Sequence, residues 1–593
     1  MCGINIIIGK DPENRIQSMM AATAHRGPDH SAHCQVNNQL HFAANRLKIL
    51  DLSDASNQPL WTERKDAVLV WNGAIYNYQD LRNQLLNWGY SFRTNSDSEV
   101  LLYWLKHQGK EGVQSLKGMF ALAFADLEKN SLIIARDPSG EKPLYYSEEN
   151  GNWFFSSECK PIVFALKQKP TIDTGQFPYF FFLRHAHPGQ SFFKGIQQFP
   201  TGTCWTMDLE GNNRKEFACS LHTDLQKTPE YSKFEDLLKD AVLKNFHAER
   251  PVGSMLSGGA DSSLLYALWY EETMVQLPTF TVCFEEKFQK KYSDPLFAKR
   301  FGKKYPSFNH PVEITFQKIQ DNWKKYIQSL DQPIGDSAGI LTWMLAQEAS
   351  KQVKVLISGA GADELFGGYN RHKAYLSYHQ HPKFWHFLKN SGIAKFLPAN
   401  WEKMVKSIED SPSLTYIQMA ALENLPKGLL EELQYLYPRK MNGIKSALDW
   451  DRTIYLVNDI LKIHDNACMA HGIEGRAPYL DTELIALSQH LNEEKHRELI
   501  GKQWIKASLE KRNLDFVGKR KKLGFGLPLK EWLSDRNFRH WVFEPIQKME
   551  KEWGGFFPQE MRNLALNPAK AEGREFLQVW NLFLLASWLK ENQ

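Results

Sequence analysis

Cys2 stands directly after the initiator methionine, in Met1-Cys2-Gly3-Ile4. Loss of Met1 would leave one residue carrying both a thiol and a free α-amine. An α-amine titrates near ~8, so it can act as general base for its own side chain, the N-terminal-nucleophile arrangement. A thiol that attacks an acyl carbon also needs donors for the oxyanion it creates. Asn72-Gly73 offers a side-chain amide and an unhindered backbone N–H. Arg46 offers a two-pronged guanidinium for a substrate carboxylate, and Asp97 an acid for an ammonium. Each has a plain alternative: a turn Asn-Gly, a surface arginine, a helix-capping aspartate.

A second group of residues points to phosphate chemistry. Ser257-Gly258-Gly259-Ala260-Asp261-Ser262-Ser263 follows an apolar run and leads into helical sequence near Leu264. Glycines let backbone N–H groups turn inward, and with a helix start they cradle an anion. The serine hydroxyls add donors, and Asp261 is a hard oxygen ligand suited to Mg²⁺. The loop is not G-x-x-x-x-G-K-[ST]. Gly359-Ala360-Gly361-Ala362-Asp363-Glu364 carries an acid where G-x-G-x-x-G requires its last glycine.

The elements that must hold the two groups differ. Residues 4–8, 68–71, 120–125, 132–136, 144–146 and 153–156 read as short strands between Gly, Pro, Asn and Asp turns. Residues 80–88 and 98–106 read as helices. Strands this close together, with few crossover helices, predict an antiparallel α+β layered fold. A polar, weakly patterned stretch over 211–228 marks the domain boundary. Beyond it, 252–256, 279–284 and 353–357 are apolar runs, with helical sequence after the first and third. That alternation predicts a parallel α/β sheet. From about residue 370 the pattern is mostly helical.

The 593 residues carry a formal net charge of +4, too little at this length to indicate a polyanionic partner. No apolar run approaches the ~18 residues of a membrane span, and 4–8 reads as a strand after an uncharged start, not as a signal peptide. Seven scattered cysteines without a C-x-x-C pair fit a reducing cytosol, and neither a disulfide framework nor structural zinc. The expectation is a cytoplasmic protein without a nucleic-acid or membrane partner.

Taken together, the strings are specific. Met1-Cys2-Gly3-Ile4, His25-Arg26-Gly27-Pro28-Asp29, Asn72-Gly73-Ala74-Ile75-Tyr76-Asn77, Ser96-Asp97-Ser98-Glu99 and Arg136-Asp137-Pro138-Ser139-Gly140 resemble class II glutamine amidotransferase domains, in that family's order. The Ser-Gly-Gly loop with Asp261-Ser262-Ser263 resembles the pyrophosphate loop of ATP pyrophosphatases. Asp363-Glu364-Leu365-Phe366-Gly367-Gly368-Tyr369, the run 465–481, and Lys522-Leu523-Gly524-Phe525-Gly526 resemble the glutamine-hydrolysing asparagine synthetase family. The resemblance implies an Ntn-type four-layer αββα sandwich over 1–210, a linker over 211–230, and an ATP-pyrophosphatase-type parallel-sheet domain with a helical C-terminal part over 231–593.

It further implies that Cys2 hydrolyses glutamine, with Arg46, Asn72, Gly73 and Asp97 binding it. Leu256, Ser257, Gly258, Gly259, Asp261, Ser262, Ser263, Val282, Ser358 and Gly359 would bind ATP, and Asp261 and Asp363 would hold Mg²⁺. Lys502 would neutralise phosphate charge, and Asp465 falls near the family's acidic active-site position. Ammonia would pass internally to an acyl-adenylate, with aspartate as acceptor; a homodimer is compatible with this likeness.

Three residues depart from the family's pattern: Ala74 where an acid is common, Ala360 where Glu or Asp is common, and Pro295 in Ser293-Asp294-Pro295 where an Asp-Glu pair is common. They leave two rivals open: the same chemistry on another carboxylate, such as a uronic acid or secondary metabolite, and a degraded, ligand-binding protein. His185 and His187 lack a third metal ligand; Lys519-Arg520-Lys521-Lys522 reads as a solvated face or a phosphate-side contribution; and 331–336 resembles a family segment beside the acceptor pocket but equally reads as a turn.

Overall fold

The computed structural model describes all residues except 1, 12–13, 220–229, 290, 292–293, 393–395, 437–440, 442, 521–523 and 593. The first half is built from β1 (Cys2–Ile8), β2 (His30–Gln35), β3 (Leu40–Arg46), β4 (Leu60–Trp61), β5 (Ala67–Ile75), β6 (Gly118–Asp126), β7 (Ser131–Arg136), β8 (Tyr145–Glu149), β9 (Asn152–Ser156), β10 (Gln197–Gln198), β11 (Thr203–Met207) and β12 (Lys215–Ala218). They form two antiparallel sheets, ordered β10-β8-β9-β1-β3-β2 and β12-β11-β7-β6-β5-β4.

Alternation along β1 shows how the layers form. Ile4, Ile6 and Ile8 face the second sheet, meeting Val68, Val70, Ala123 and Ile134. Ile7 faces the other way, toward Ile16 and Met19 of the helix Arg15–Ala22. The outer face of the second sheet is covered by Leu101, Trp104 and Leu105 of the helix Asp97–Gln108. Helix, sheet, sheet and helix are the four expected layers, and period-two patterning produces them.

The second half holds β13 (Val252–Met255), β14 (Pro278–Phe284), β15 (Phe308–Ile314), β16 (Val355–Ile357) and β17 (Glu474–Arg476), in the order β15-β14-β13-β16-β17. Every pairing in it is parallel. Helices make up most of the remainder, including a wide-turned π-helix over Asp451–Ile460 that runs into the helix Leu461–Met469.

Some expectations need correction. The linker of 211–230 is shorter, because Lys215–Ala218 pairs with β11 as an edge strand; 220–229 lie outside the described residues. β2 is an edge strand whose alternating exposure leaves polar residues outward, so no apolar run announced it. β17 is three residues long and charged at both ends, inside a stretch that read as helical. The halves also share an interior. The helix Phe177–Leu183 is buried against the C-terminal helix Phe576–Asn592, and Phe192 meets Trp588 at 5.6 Å.

Candidate active sites

The β1–β3 ladder sets Cys2 opposite Arg46. The Cys2 backbone N–H donates to Asn72 Oδ1 at 2.9 Å, joining the two sheets at the candidate nucleophile. That leaves Asn72 Nδ2 fully buried, with no acceptor among the described residues. An orphaned buried N–H costs about 1–3 kcal/mol; beside a thiol such a donor has the geometry to serve an oxyanion. Gly73 follows with φ +157°, and a Cβ there would lie 2.0 Å from the Met119 carbonyl oxygen, so only glycine lets β6 come this close.

Gln58, which no motif singled out, adds a contact. Its Nε2 lies 3.5 Å from Cys2 Sγ while its Oε1 accepts from the Trp71 N–H at 2.6 Å. Burial pushes the Cys2 thiol above its usual range, opposed by the Leu47 N–H and the Arg46 charge. The thiol therefore holds its proton until a base removes it, the task available to the α-amine.

Arg46 is engaged by the loop after it. Nη1 donates to Ser53 O and Asn57 Oδ1, and Nη2 to Leu50 O and Asp51 O. A substrate carboxylate would compete with those oxygens. Asp97 begins its helix and accepts the Ile75 N–H at 3.3 Å, two residues past Gly73. Burial raises its carboxyl to about 6.

Ala74 is buried and brings no charge, but an acid reaches this site from the other half. Glu474 on β17 is 1% exposed, and its charge raises both the Cys2 thiol and the Asp97 carboxyl. It pairs with Arg476 Nε at 2.5 Å. Arg476 Nη1 donates to the carbonyls of Asn245 and His247, and Asn245 Oδ1 accepts from the Tyr76 hydroxyl at 2.9 Å. The string carrying Glu474 was visible in the sequence, but nothing there assigned it to the first half.

Arg26 crosses the same boundary. Its Nε donates to Cys2 O at 3.4 Å, Nη1 to Glu158 Oε1 at 2.9 Å, and Nη2 pairs with Asp465 Oδ2 at 2.9 Å. Asp465, expected near an acidic active-site position, is turned by the helix Leu461–Met469 toward the first half. Arg26, Arg136, Glu158, Asp331, Lys462 and Asp465 line one cavity between the halves.

The second site lies at the C-terminal ends of parallel strands, where such sheets bind ligands. Leu256, just past β13, and Val282, on β14, are buried there, the Leu256 N–H donating to Phe280 O at 2.9 Å. Gly258 has φ +63°, and a Cβ on it would lie 2.7 Å from Phe297 Cβ. Ser257 shares a hydroxyl contact at 3.2 Å with Ser262 in the first turn of the helix Ala260–Thr273. From β16, Ser358 leads to Gly359, whose added Cβ would lie 2.9 Å from Asp261 Cβ, so the two loops touch.

Lys502 Nζ lies 2.7 Å from Asp261 Oδ2 and 2.9 Å from Asp363 Oδ1. Burial works against that ammonium, but the two carboxylates outweigh it and hold its proton above the usual lysine range. Two acids from separate strands thus converge on one cation.

The family comparisons cover both halves. The asparagine synthase family matches residues 233–590, and the glutamine amidotransferase domain matches residues 1–218. The chain belongs to the asparagine synthase family. It is 29% identical over 585 residues to asparagine synthetase (glutamine-hydrolyzing) 1 of Bacillus subtilis strain 168, covering 93% of this chain and 91% of the relative. It is 30% identical over 594 residues to a putative asparagine synthetase (glutamine-hydrolyzing) of Mycobacterium bovis, covering 91% and 88%. A solved glutamine phosphoribosylpyrophosphate amidotransferase from B. subtilis shares 18% identity with a TM-score of 0.27, over 47% of this chain and 65% of that one. As an asparagine synthase family member, the protein is an ATP-dependent glutamine amidotransferase, a ligase.

The remaining sequence features take the following positions. Arg520 is not a solvated residue: its Nη1 donates to Ser257 O at 3.1 Å and its Nη2 pairs with Asp294. Lys519 pairs with Asp515 at the surface; Lys521, Lys522 and Leu523 lie outside the described residues, as does Ser293. Pro295 sits in the first turn of the helix Asp294–Gly302, where a missing N–H costs nothing. Residues 331–336 are more than a turn. Asp331 accepts the Cys159 and Lys160 N–H groups, and Asp336 pairs with Arg184 at 2.5 Å.

Arg184 leads to a cluster the sequence did not reveal. Its Nη2 donates to the Tyr455 hydroxyl at 3.1 Å and its Nε lies 3.6 Å from Asp459. Arg371 stacks on Tyr369 and Tyr455, and Tyr369 donates to Glu364, next to Asp363. The π-helix stacks Asp451, Tyr455 and Asp459 along this line, the kind of place where wide turns mark functional sites. Burial raises the Asp459 carboxyl to about 7. His185 and His187 belong to no group of three metal-ligating residues among the described ones.

Proposed function

We propose that the protein makes asparagine from aspartate, glutamine and ATP, releasing AMP, pyrophosphate and glutamate. The observation that carries the activation step is the convergence of Asp261 and Asp363 on one Nζ. In the first site Cys2 attacks the glutamine side-chain carbonyl as its α-amine, free once Met1 is removed, takes the thiol proton. The oxyanion is met by Asn72 Nδ2 and the Gly73 N–H, and the amine returns the proton to departing ammonia. Water then hydrolyses the glutamyl thioester. Arg46 and Asp97 orient the substrate's carboxylate and ammonium.

In the second site an acceptor carboxylate oxygen attacks the α-phosphorus of ATP. Ser257, Gly258, Gly259, Ser262 and Ser263 receive the pyrophosphate, with Lys502 balancing its charge. Asp261 Oδ1 accepts no hydrogen bond among the described residues, and two carboxylates facing one cation are the hard oxygen donors that suit Mg²⁺. Asp261 and Asp363 would hold that ion, which would offset phosphate charge when bound. Ammonia crosses the cavity beside Arg26 and Asp465 and attacks the acyl-adenylate carbon, expelling AMP.

Arg184 and Arg371, interleaved with Asp336 and Asp459, suit a zwitterionic head group, which favours an amino-acid acceptor. Ala360 favours the second reading, another carboxylate in the same chemistry. Pyrophosphate release with glutamine, ATP and a panel of carboxylic acids tests the choice, with asparagine identified by mass. Release with another acid and none with aspartate would move the function to the second reading.

A further inference from the structure

Exposed aromatic residues gather in one part of this molecule. Phe384 is 52% exposed, Phe387 67%, Phe396 87% and Trp401 49%, all within eighteen residues of sequence. Phe384 and Phe387 lie one turn apart on the helix Pro382–Asn390, whose Trp385 points inward instead. Trp385 touches Phe384 at 5.4 Å and Trp401 of the helix Ala399–Lys406 at 5.3 Å, so the two helices present one apolar face. Lys383, Lys389 and Lys406 are exposed beside it, Lys389 paired with Glu409 and Lys406 with Glu402. Between 383 and 410 the sequence carries five lysines against three acids, Glu402, Glu409 and Asp410, a net of +2.

We infer that this helical pair attaches the protein peripherally to the surface of an anionic phospholipid bilayer. Phenylalanine and tryptophan on one face with lysines at its rim are what an interfacial helix uses to enter the headgroup region. Charge argues against a second copy of the chain, because a two-fold contact of this face with itself would set lysine against lysine. The earlier expectation of no membrane partner rested on the absence of a spanning run, and surface attachment needs none. The attachment would also bring the Arg184 cluster near the bilayer. Lys403 of the second helix donates to Ala421 O, and the Leu422 N–H donates to Phe182 O at 2.9 Å, two residues from Arg184.

The test is co-sedimentation of the full chain with vesicles of phosphatidylcholine alone or mixed with phosphatidylglycerol, at about 0.1 M salt. Binding to the mixed vesicles should exceed binding to the neutral ones on the order of 25-fold, a net of two positive charges contributing about fivefold each, and should fall as salt rises. Phe387→Ser with Phe396→Ser should lower it about tenfold, while pyrophosphate release in solution stays unchanged, which shows that the variant is folded. Lys383→Glu with Lys406→Glu should abolish the preference for anionic lipid. Equal binding to both vesicles, or none to either, overturns the inference. So does a dimer in solution that the double serine variant dissolves, since the face would then belong to a second copy.

Discussion

The two reaction sites are held by different means. Around Cys2 the neighbours come from strand registry: Arg46 is its ladder partner, and Asn72 reaches it from the facing sheet. Around Asp261 no ladder sets the side chains. Two loops touch beyond the strand ends, and opposed charges on Lys502, Asp261 and Asp363 hold them together. A site pinned by backbone pairing is fixed before substrate arrives. A site pinned by an ion cluster must exchange those partners when phosphate and metal enter. The first should tolerate little change in geometry; the second should respond most to charge.

The sharpest way to break this contrast is Cys2→Ala. It should lower glutamine-dependent amide formation by at least about 10⁴-fold, while synthesis driven by added ammonia persists; loss of both would mean the sites are not separable. Lys502→Met should cut pyrophosphate release by about 10²–10³-fold and leave glutamate release intact. Asn72→Ala should lower kcat for glutamine hydrolysis by about 10²–10³-fold with little change in KM, because its free N–H meets only the oxyanion; a pure KM effect would remove it from that role. A milder effect follows from Asp97. Below its pKa of about 6 the carboxyl gains a proton and no longer pairs with an ammonium. Glutamine kcat/KM should therefore fall about tenfold per pH unit below that point, and Asp97→Asn should erase this limb. The smallest effect is that of Glu474→Gln: its charge raises Asp97, so neutralising it should move the same limb to lower pH. A limb that stays in place would show that the second half does not tune the first.

The sequence revealed the pieces of each site better than their joints. Cys2, Asn72, Gly73 and Asp97 were legible because each has a chemistry of its own and lies at the start or end of a patterned element. Asp261, Asp363 and Lys502 were legible as types, and the structure brings all three together. Gln58, Glu474 and Arg26 were not, since their roles arise from contacts between segments far apart in the chain. The pairing of Asp465 with Arg26 was out of reach for the same reason: which face of a helix meets which domain is a matter of docking, not periodicity. Short charged β17 escaped notice because parallel pairing with β16, rather than its own composition, makes it a strand.

Arg26 bears on any attempt to cut this enzyme in two. Its guanidinium is buried, with one acid supplied by each half. A truncation after residue 219 would strip away Asp465 and Glu474 together and leave Phe192 without Trp588. Losing one partner of a buried ion pair commonly costs about 3–5 kcal/mol. The excised fragment would be less a free-standing hydrolase than one side of a broken seam.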